Sequence, residues 1–274
     1  MRQIEAVDAW FDVYEILPAV FAIREPGHWE QVISYLVVGE EKALLFDTGT
    51  GIGDIQAEVA ALTQRDVIVV NSHSHPDHIA GNYQFDTIYG LDNAYTAANA
   101  KGRSVENSQR FVPPRAFSRE PPAGFSRETY RIRPYQIDRF LTEGEVIDLG
   151  GRKLEVLLTP GHAPDALCLI DRQGRFVLTG DTFYLGRLFV GSGPQSLEDY
   201  ATSAARLGGL AEALDRVLPA HSTTLLKPAF LVRLQEAFAA ILAGEAQFSG
   251  ERREARFGGF SIAAGHRVKT TTPQ

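Results

Sequence analysis

Short, wholly apolar runs alternate along this chain with stretches whose apolar residues recur every three or four positions. Residues 32–38 and 43–47 are strand-length runs, and Gly39-Glu40-Glu41 between them predicts a turn. From about Asp54 onward, Ile55, Val59 and Leu62 fall on one helical face, and residues 67–70 are a further short apolar strand. Lys153–Leu158, 167–170 and 176–179 predict three more strands, the last two joined across Asp171-Arg172-Gln173-Gly174. Ser196 and Asp199 predict the capped start of a helix with Leu197, Tyr200, Ala204 and Leu207 as its buried stripe. A strand begins at 217–218, and Pro228 opens a last helix carrying Leu231, Leu234, Phe238 and Ile241 before Gly244 stops it. Strands alternating with amphipathic helices define a mixed α/β class. The polar tail 267–274 is expected to fray.

Composition narrows the picture. A chain of 274 residues with 44% hydrophobic positions can bury a sizeable core, and we expect one domain over 1–274. Cys168 is the sole cysteine, which excludes a disulfide framework and any cysteine-rich zinc module. No apolar run is long enough to span a membrane, and the first residues carry acids where a signal peptide needs an apolar core. A cytoplasmic protein without a membrane partner is the expectation. The net charge of −7 argues against nucleic acid as a partner.

That charge is uneven. Residues 101–139 carry nine basic and four acidic side chains, together with five prolines and the aromatics Phe111, Phe117, Phe125, Tyr130 and Tyr135. Prolines at this density break regular elements, so an insertion is expected near residues 94–139. Two readings suit it: a basic, aromatic lid selecting anionic or partly apolar small molecules, or a solvated arm on the body or a second subunit. Residues 245–274 form a C-terminal extension with no readable motif.

The candidate chemistry lies where strands end. Residues 67–70 run into His73-Ser74-His75-Pro76-Asp77-His78, Lys153–Leu158 into His162, 176–179 into Asp181, and 217–218 into His221. Equivalent ends of neighbouring strands can converge on one crevice. His73 and His75, two apart, point the same way in extended chain, while Asp77 and His78 can turn back from a loop or first helical turn. Five imidazoles and two carboxylates without sulfur suit borderline divalent metals, zinc first, and exceed the four ligands of a closed structural site. His28 and His266, each alone, read as ordinary surface or hydrogen-bonded residues. The glycines of Thr48-Gly49-Thr50-Gly51-Ile52-Gly53 lack the lysine of a phosphate-binding loop.

His73-x-His75-x-Asp77-His78 followed in order by His162, Asp181 and His221 resembles the metallo-β-lactamase-fold hydrolase superfamily, and Asp47-Thr48-Gly49 matches that family's early aspartate motif. The resemblance covers roughly residues 15–225. It implies an αββα sandwich, two mixed β-sheets flanked by helices, with two divalent metal ions per chain at one edge, Zn2+ first among the candidates. It further implies that His73, His75 and His162 hold one metal, that Asp77, His78 and His221 hold the other, and that Asp181 bridges them. Asp47 would support the histidines from behind.

The motif set is most similar to glyoxalase II and lactonase-like members. The implied activity is attack on an ester-like carbonyl (lactone, thioester or β-lactam) of a small-molecule substrate by a hydroxide held between the metals. Asp77 would carry the proton. Tyr184 is similar to a substrate-facing tyrosine of acyl-homoserine lactonases; the other reading is an ordinary packed aromatic. A phosphodiesterase on the same site, or a mononuclear iron dioxygenase, are the alternatives, and the complete second-metal set weighs against the latter. A homo-oligomer is left open.

Overall fold

Continuous apolar runs near the start of the chain build an eight-stranded sheet. In this computed structural model, which describes residues 1–191, 193, 196–250 and 253–264, β1 (Arg2–Ile4), β2 (Asp12–Leu17), β3 (Val20–Arg24), β4 (Ile33–Val38) and β5 (Lys42–Phe46) pair antiparallel in sequence order. β6 (Asp66–Val70), β7 (Ile88–Gly90) and β8 (Arg139–Phe140) then add in parallel beyond β5. A parallel pair needs a crossover, and α1 (Ile55–Leu62) supplies it between β5 and β6. Asp54 caps α1 by accepting the Ala57 N–H at 3.0 Å. Ile55 and Val59 bury against Leu36, Leu45 and Val69. Because Phe46 pairs with Val70, the chain leaves β5 and β6 side by side, with Asp47 and Asn71 as next residues.

The segment expected as lid or arm folds back onto this same unit, residues Met1–Leu154. After the short α2 (Pro76–Ile79) come α3 (Ala94–Asn99) and α4 (Val105–Ser108), then turns that bury Val112, Ala116, Tyr130 and Ile132. The Tyr130 hydroxyl donates to the Thr50 carbonyl at 2.8 Å, and Arg119 reaches Asp12 at 3.2 Å. The prolines signal irregular backbone correctly, but the apolar residues between them are core rather than solvated arm. β9 (Val146–Asp148) closes the unit's elements.

The second unit, Glu155–Gln274, is built on β10 (Lys153–Leu158), β11 (Leu167–Asp171) and β12 (Phe176–Gly180), each antiparallel to the next. β14 (Arg216–Pro219) lies parallel to β12 on its far side. Before it in the chain come β13 (Arg187–Val190) and α5 (Ser196–Leu210), and after it α6 (Ala229–Leu242). Leu197, Tyr200, Ala204 and Leu207 of α5 bury with Leu231, Leu234 and Phe238 of α6 over Cys168, Ile170 and Val177. The motif-free C-terminal stretch holds β15 (Glu254–Phe257) and β16 (Phe260–Ala264), a hairpin whose second strand pairs parallel with β13. The expected tail 267–274 and His266 lie outside the described residues. No helix among the described residues is long and apolar enough to cross a membrane.

Candidate metal centre

In the first unit, four candidate ligands leave the end of β6. His75 stands at the N-cap of α2 with Pro76 at its first position, so Asp77 and His78 turn back in the first helical turn, as the spacing suggested. The His73 ring lies 4.4 Å from that of His75 and 4.2 Å from that of His78. Asp47, fully buried and in the left-handed region at φ 68°, accepts the Ser72 N–H at 2.6 Å with one oxygen. Its other oxygen meets His78 Nδ1 at 2.8 Å. An N–H on Nδ1 satisfies that carboxylate and turns the Nε2 lone pair outward as a metal donor.

A second set of bonds fixes the backbone of α2. The His78 carbonyl accepts from Thr48 N, Thr48 Oγ1 and Asn71 Nδ2 at 2.9, 3.1 and 2.8 Å. Asn82 Oδ1 accepts from the same Thr48 hydroxyl at 2.7 Å, and Asn82 Nδ2 donates to Asn71 Oδ1 at 2.8 Å. Gly51 sits at φ 66° with its α-carbon so close to Ala80 that a Cβ would lie 2.5 Å from the Ala80 carbonyl oxygen. Only glycine meets both demands. Behind this loop Glu25 accepts from Thr50 N at 2.7 Å, from the Thr50 hydroxyl, and from Trp10 Nε1 at 2.8 Å. Burial pushes the Glu25 carboxyl up, against the pull of its Thr50 and Trp10 donors.

In the second unit the ligands come from three strand ends. His162 follows β10 through Gly161, whose φ of 138° and approach to Tyr200 leave no room for a side chain. His162 Nδ1 lies 3.0 Å from the Phe189 carbonyl of β13, which again orients Nε2 as the donor. Asp181 follows β12, with His162 Nε2 at 3.5 Å from one of its oxygens and His221 Nε2 at 3.0 Å from the other. The buried Tyr200 hydroxyl holds the Asp181 backbone by donating to its carbonyl at 3.0 Å and to that of Thr182 at 2.9 Å. Burial first, then the Asp181 charge, raises that phenol well above its ordinary range. The Tyr184 ring meets His221 edge-on at 5.0 Å, and its hydroxyl donates to the Arg187 carbonyl at 2.6 Å.

The donor chemistry fits a divalent ion. A cation about 2.0–2.2 Å from tetrahedral nitrogen and oxygen donors sets those donors about 3.3–3.6 Å apart. His78 Nε2 and Asp77 Oδ2 are 3.4 Å apart, and His162 Nε2 and Asp181 Oδ2 are 3.5 Å apart. Each unit thus carries a His/Asp pair at the separation that donors to one metal ion adopt. Reading the sequence for chemistry finds these donors and Asp47 behind them but gives no role to Thr48, Asn71, Asn82 and Glu25. Tyr200 is found only as a core residue.

The sequence profile of the metallo-β-lactamase superfamily matches residues 27–221, which include Asp47 and all seven candidate ligands. The chain is 30% identical over 204 residues to the acyl-coenzyme A thioesterase MBLAC2 of Homo sapiens, across 69% of this chain and 72% of that protein. It is 25% identical over 167 residues to the hydroxyacylglutathione hydrolase GloC of Haemophilus influenzae, across 58% and 69%. Among solved structures, a metallo-β-lactamase family protein from Thermus thermophilus matches at TM-score 0.59 and 21% identity, over 84% of this chain and 82% of that one. That likeness concerns the fold: mixed sheets flanked by helices, as the motif set implied. The chain therefore belongs to the metallo-β-lactamase superfamily of metal-dependent hydrolases.

Proposed function

We propose that this chain is a thioester hydrolase working with two divalent ions, zinc first. The observation that carries the substrate class is that two relatives, from Homo sapiens and Haemophilus influenzae, are named for hydrolysis of acyl-coenzyme A and hydroxyacylglutathione, both thioesters. The donor inventory supports the metals: on the family's pattern His73, His75 and His162 would hold one ion, and Asp77, His78 and His221 the other. Asp181, with imidazoles at both of its oxygens, suits the bridging role. Bound ions would make a hydroxide available from water at neutral pH and polarise the thioester carbonyl.

The chain's own residues orient and move protons. Asp47 and the Phe189 carbonyl keep His78 and His162 in the tautomer that presents Nε2. Asp77, partly exposed, would hold the proton of the attacking water and return it to the departing thiolate as the C–S bond breaks. The test is a panel of acyl-coenzyme A, hydroxyacylglutathione, an acyl-homoserine lactone, a β-lactam and bis-p-nitrophenyl phosphate, run on zinc-loaded protein. Thioesters should exceed the rest by at least about a hundredfold in kcat/KM, which is about 2.7 kcal/mol. Chelation should abolish turnover and zinc restore it. A lactone or phosphodiester turned over faster than either thioester would overturn the reading.

A further inference from the structure

Beside the Asp47 loop, the first unit carries a cleft of about 420 Å³ lined by Gly51, Ile52, Tyr83, Phe125, Arg131 and Arg133. We propose that this cleft takes the nucleotide end of a coenzyme A thioester, a nucleoside bisphosphate; the proposal rests on the thioester reading above. The volume lies within the range of small-ligand sites.

The chain itself arranges the charge. Arg131 and Arg133 flank the buried Ile132 in an extended stretch that bridges to Arg103, so both guanidinium groups leave on the solvent side together. The Arg133 guanidinium lies over the Tyr83 ring, 4.2 Å from its centre, which fixes a planar, cationic wall. Paired arginines with an aromatic face suit a ligand that joins phosphate to a flat base. The one lining acid, Glu128, accepts a hydrogen bond from Ser126 at 3.1 Å and is held ionised below its ordinary range by its own backbone N–H and by Ser126. Arg131 and Arg133 outnumber it in the lining, so the cleft keeps a positive balance.

The cleft also lies where such a handle would be useful. Its Gly51 wall belongs to the loop that begins at Asp47 and packs on Ala80 behind α2, and its Tyr130 wall is tied to Thr50 by the phenol. A carrier held by its nucleotide there would lie beside the segment bearing His73, His75, Asp77 and His78. A simple acyl thiol would make no use of the arginines.

The experiment has a binding arm and a kinetic arm on the full, zinc-loaded chain. Calorimetry with adenosine 3′,5′-bisphosphate should give saturable binding that weakens with salt, and at least tenfold weaker binding in the R131A/R133A double variant and in Y83A. Melting temperature checks that these exposed substitutions leave the fold intact. In kinetics, the preference for acyl-coenzyme A over the matching acyl-pantetheine should fall about tenfold in the double variant. No bisphosphate binding, or equal binding by wild type and variants, overturns the proposal. If both thioesters are nonetheless hydrolysed, the thioester reading stands while the cleft falls. If neither is hydrolysed but bisphosphate binding is lost in the variants, the thioester reading falls and the cleft remains a nucleotide site. An equal loss on hydroxyacylglutathione would make the cleft a general anion site and overturn the nucleotide assignment.

Discussion

In the first unit four candidate ligands sit within residues 73–78, on one loop and the first turn of α2, whereas in the second His162, Asp181 and His221 come from three separate strand ends. The local cluster is held by side chains: Asp47 on His78, and Thr48, Asn71 and Asn82 around one carbonyl. The dispersed set is held mainly through backbone: the Phe189 carbonyl on His162, and Tyr200 on the carbonyls of Asp181 and Thr182. A contiguous motif brings its donors together by local geometry but must stop neighbouring imidazoles from turning at random. A dispersed set inherits its positions from the sheet and needs only its loop ends pinned.

That contrast is tested most severely at Asp181. If both of its oxygens serve metal, Asp181→Ala removes a carboxylate shared by two imidazoles and leaves the positive charges of the ions unscreened. Bound metal should drop from close to two divalent ions per chain to one or fewer by elemental analysis, with turnover reduced to background. Two ions retained in Asp181→Ala would refute the bridging role.

The framework of the first unit includes the proline-rich insertion, so its core should matter to the local cluster. Ile132 is 1% exposed among the prolines and arginines. Ile132→Ala should cost about 2–5 kcal/mol in chemical denaturation. A solvated arm would give a change within about 0.5 kcal/mol. The smaller value would return the segment to the arm reading.

Asp47→Asn probes the side-chain brace alone. The amide oxygen can still accept the Ser72 N–H, but its NH2 would face His78 Nδ1 and favour the wrong tautomer. Metal affinity should fall by about 10–100-fold with little change in melting temperature. Competition with a chromophoric chelator measures it, and unchanged affinity would make Asp47 a fold residue only.

What could be read in advance follows the same division. β4, β5, β6, β11 and β12 were legible because each is built on a short apolar run, β10 because its apolar residues alternate before Leu157 and Leu158, and the ligands because histidines crowd at their ends. β7, β8 and β13 are two to four residues long, too short for any period to appear. β16 pairs with β13 across a long stretch of sequence, with β15 folded against it as a hairpin, a non-local choice that no local pattern announces. Asn71, Asn82 and Thr48 resemble ordinary loop polar residues until the fold gathers them on the His78 carbonyl. The prolines of the insertion marked irregular backbone, but irregular is not the same as exposed. Val112 and Ile132 carry the correction.

Glu25 offers a pH test of the first unit's loop. Its carboxyl is raised by burial, so the folded chain keeps this proton to higher pH than the unfolded chain does. Its contribution to stability is therefore fullest below the ordinary carboxylate range and declines as pH rises, until Glu25 ionises within the fold. Urea denaturation of Glu25→Gln should show that decline flattened. It should also show a loss of about 1–3 kcal/mol at the acid end, because the amide NH2 would face a donor. An identical pH slope in both proteins would remove Glu25 from the account.

The smallest effect is expected at Tyr184, where the second unit's reliance on backbone is clearest. The phenol touches His221 with its ring and gives its proton to the Arg187 carbonyl at 2.6 Å. A donor aimed at the charge developing on a substrate oxygen is worth about a hundred- to a thousandfold in kcat. A hydrogen bond to a partly buried carbonyl is worth about 1 kcal/mol of stability and no specific share of the rate. Tyr184→Phe keeps the ring against His221 and deletes only the hydroxyl. With that proton committed to Arg187, kcat on a thioester should stay within about tenfold of wild type, while stability falls by about 1 kcal/mol. To serve the substrate instead, the hydroxyl would have to leave the Arg187 carbonyl when substrate binds, and kcat would then fall at least a hundredfold with unfolding unchanged. Measuring kcat and the urea midpoint on the same two proteins separates a pinned loop end from a group that acts on the substrate.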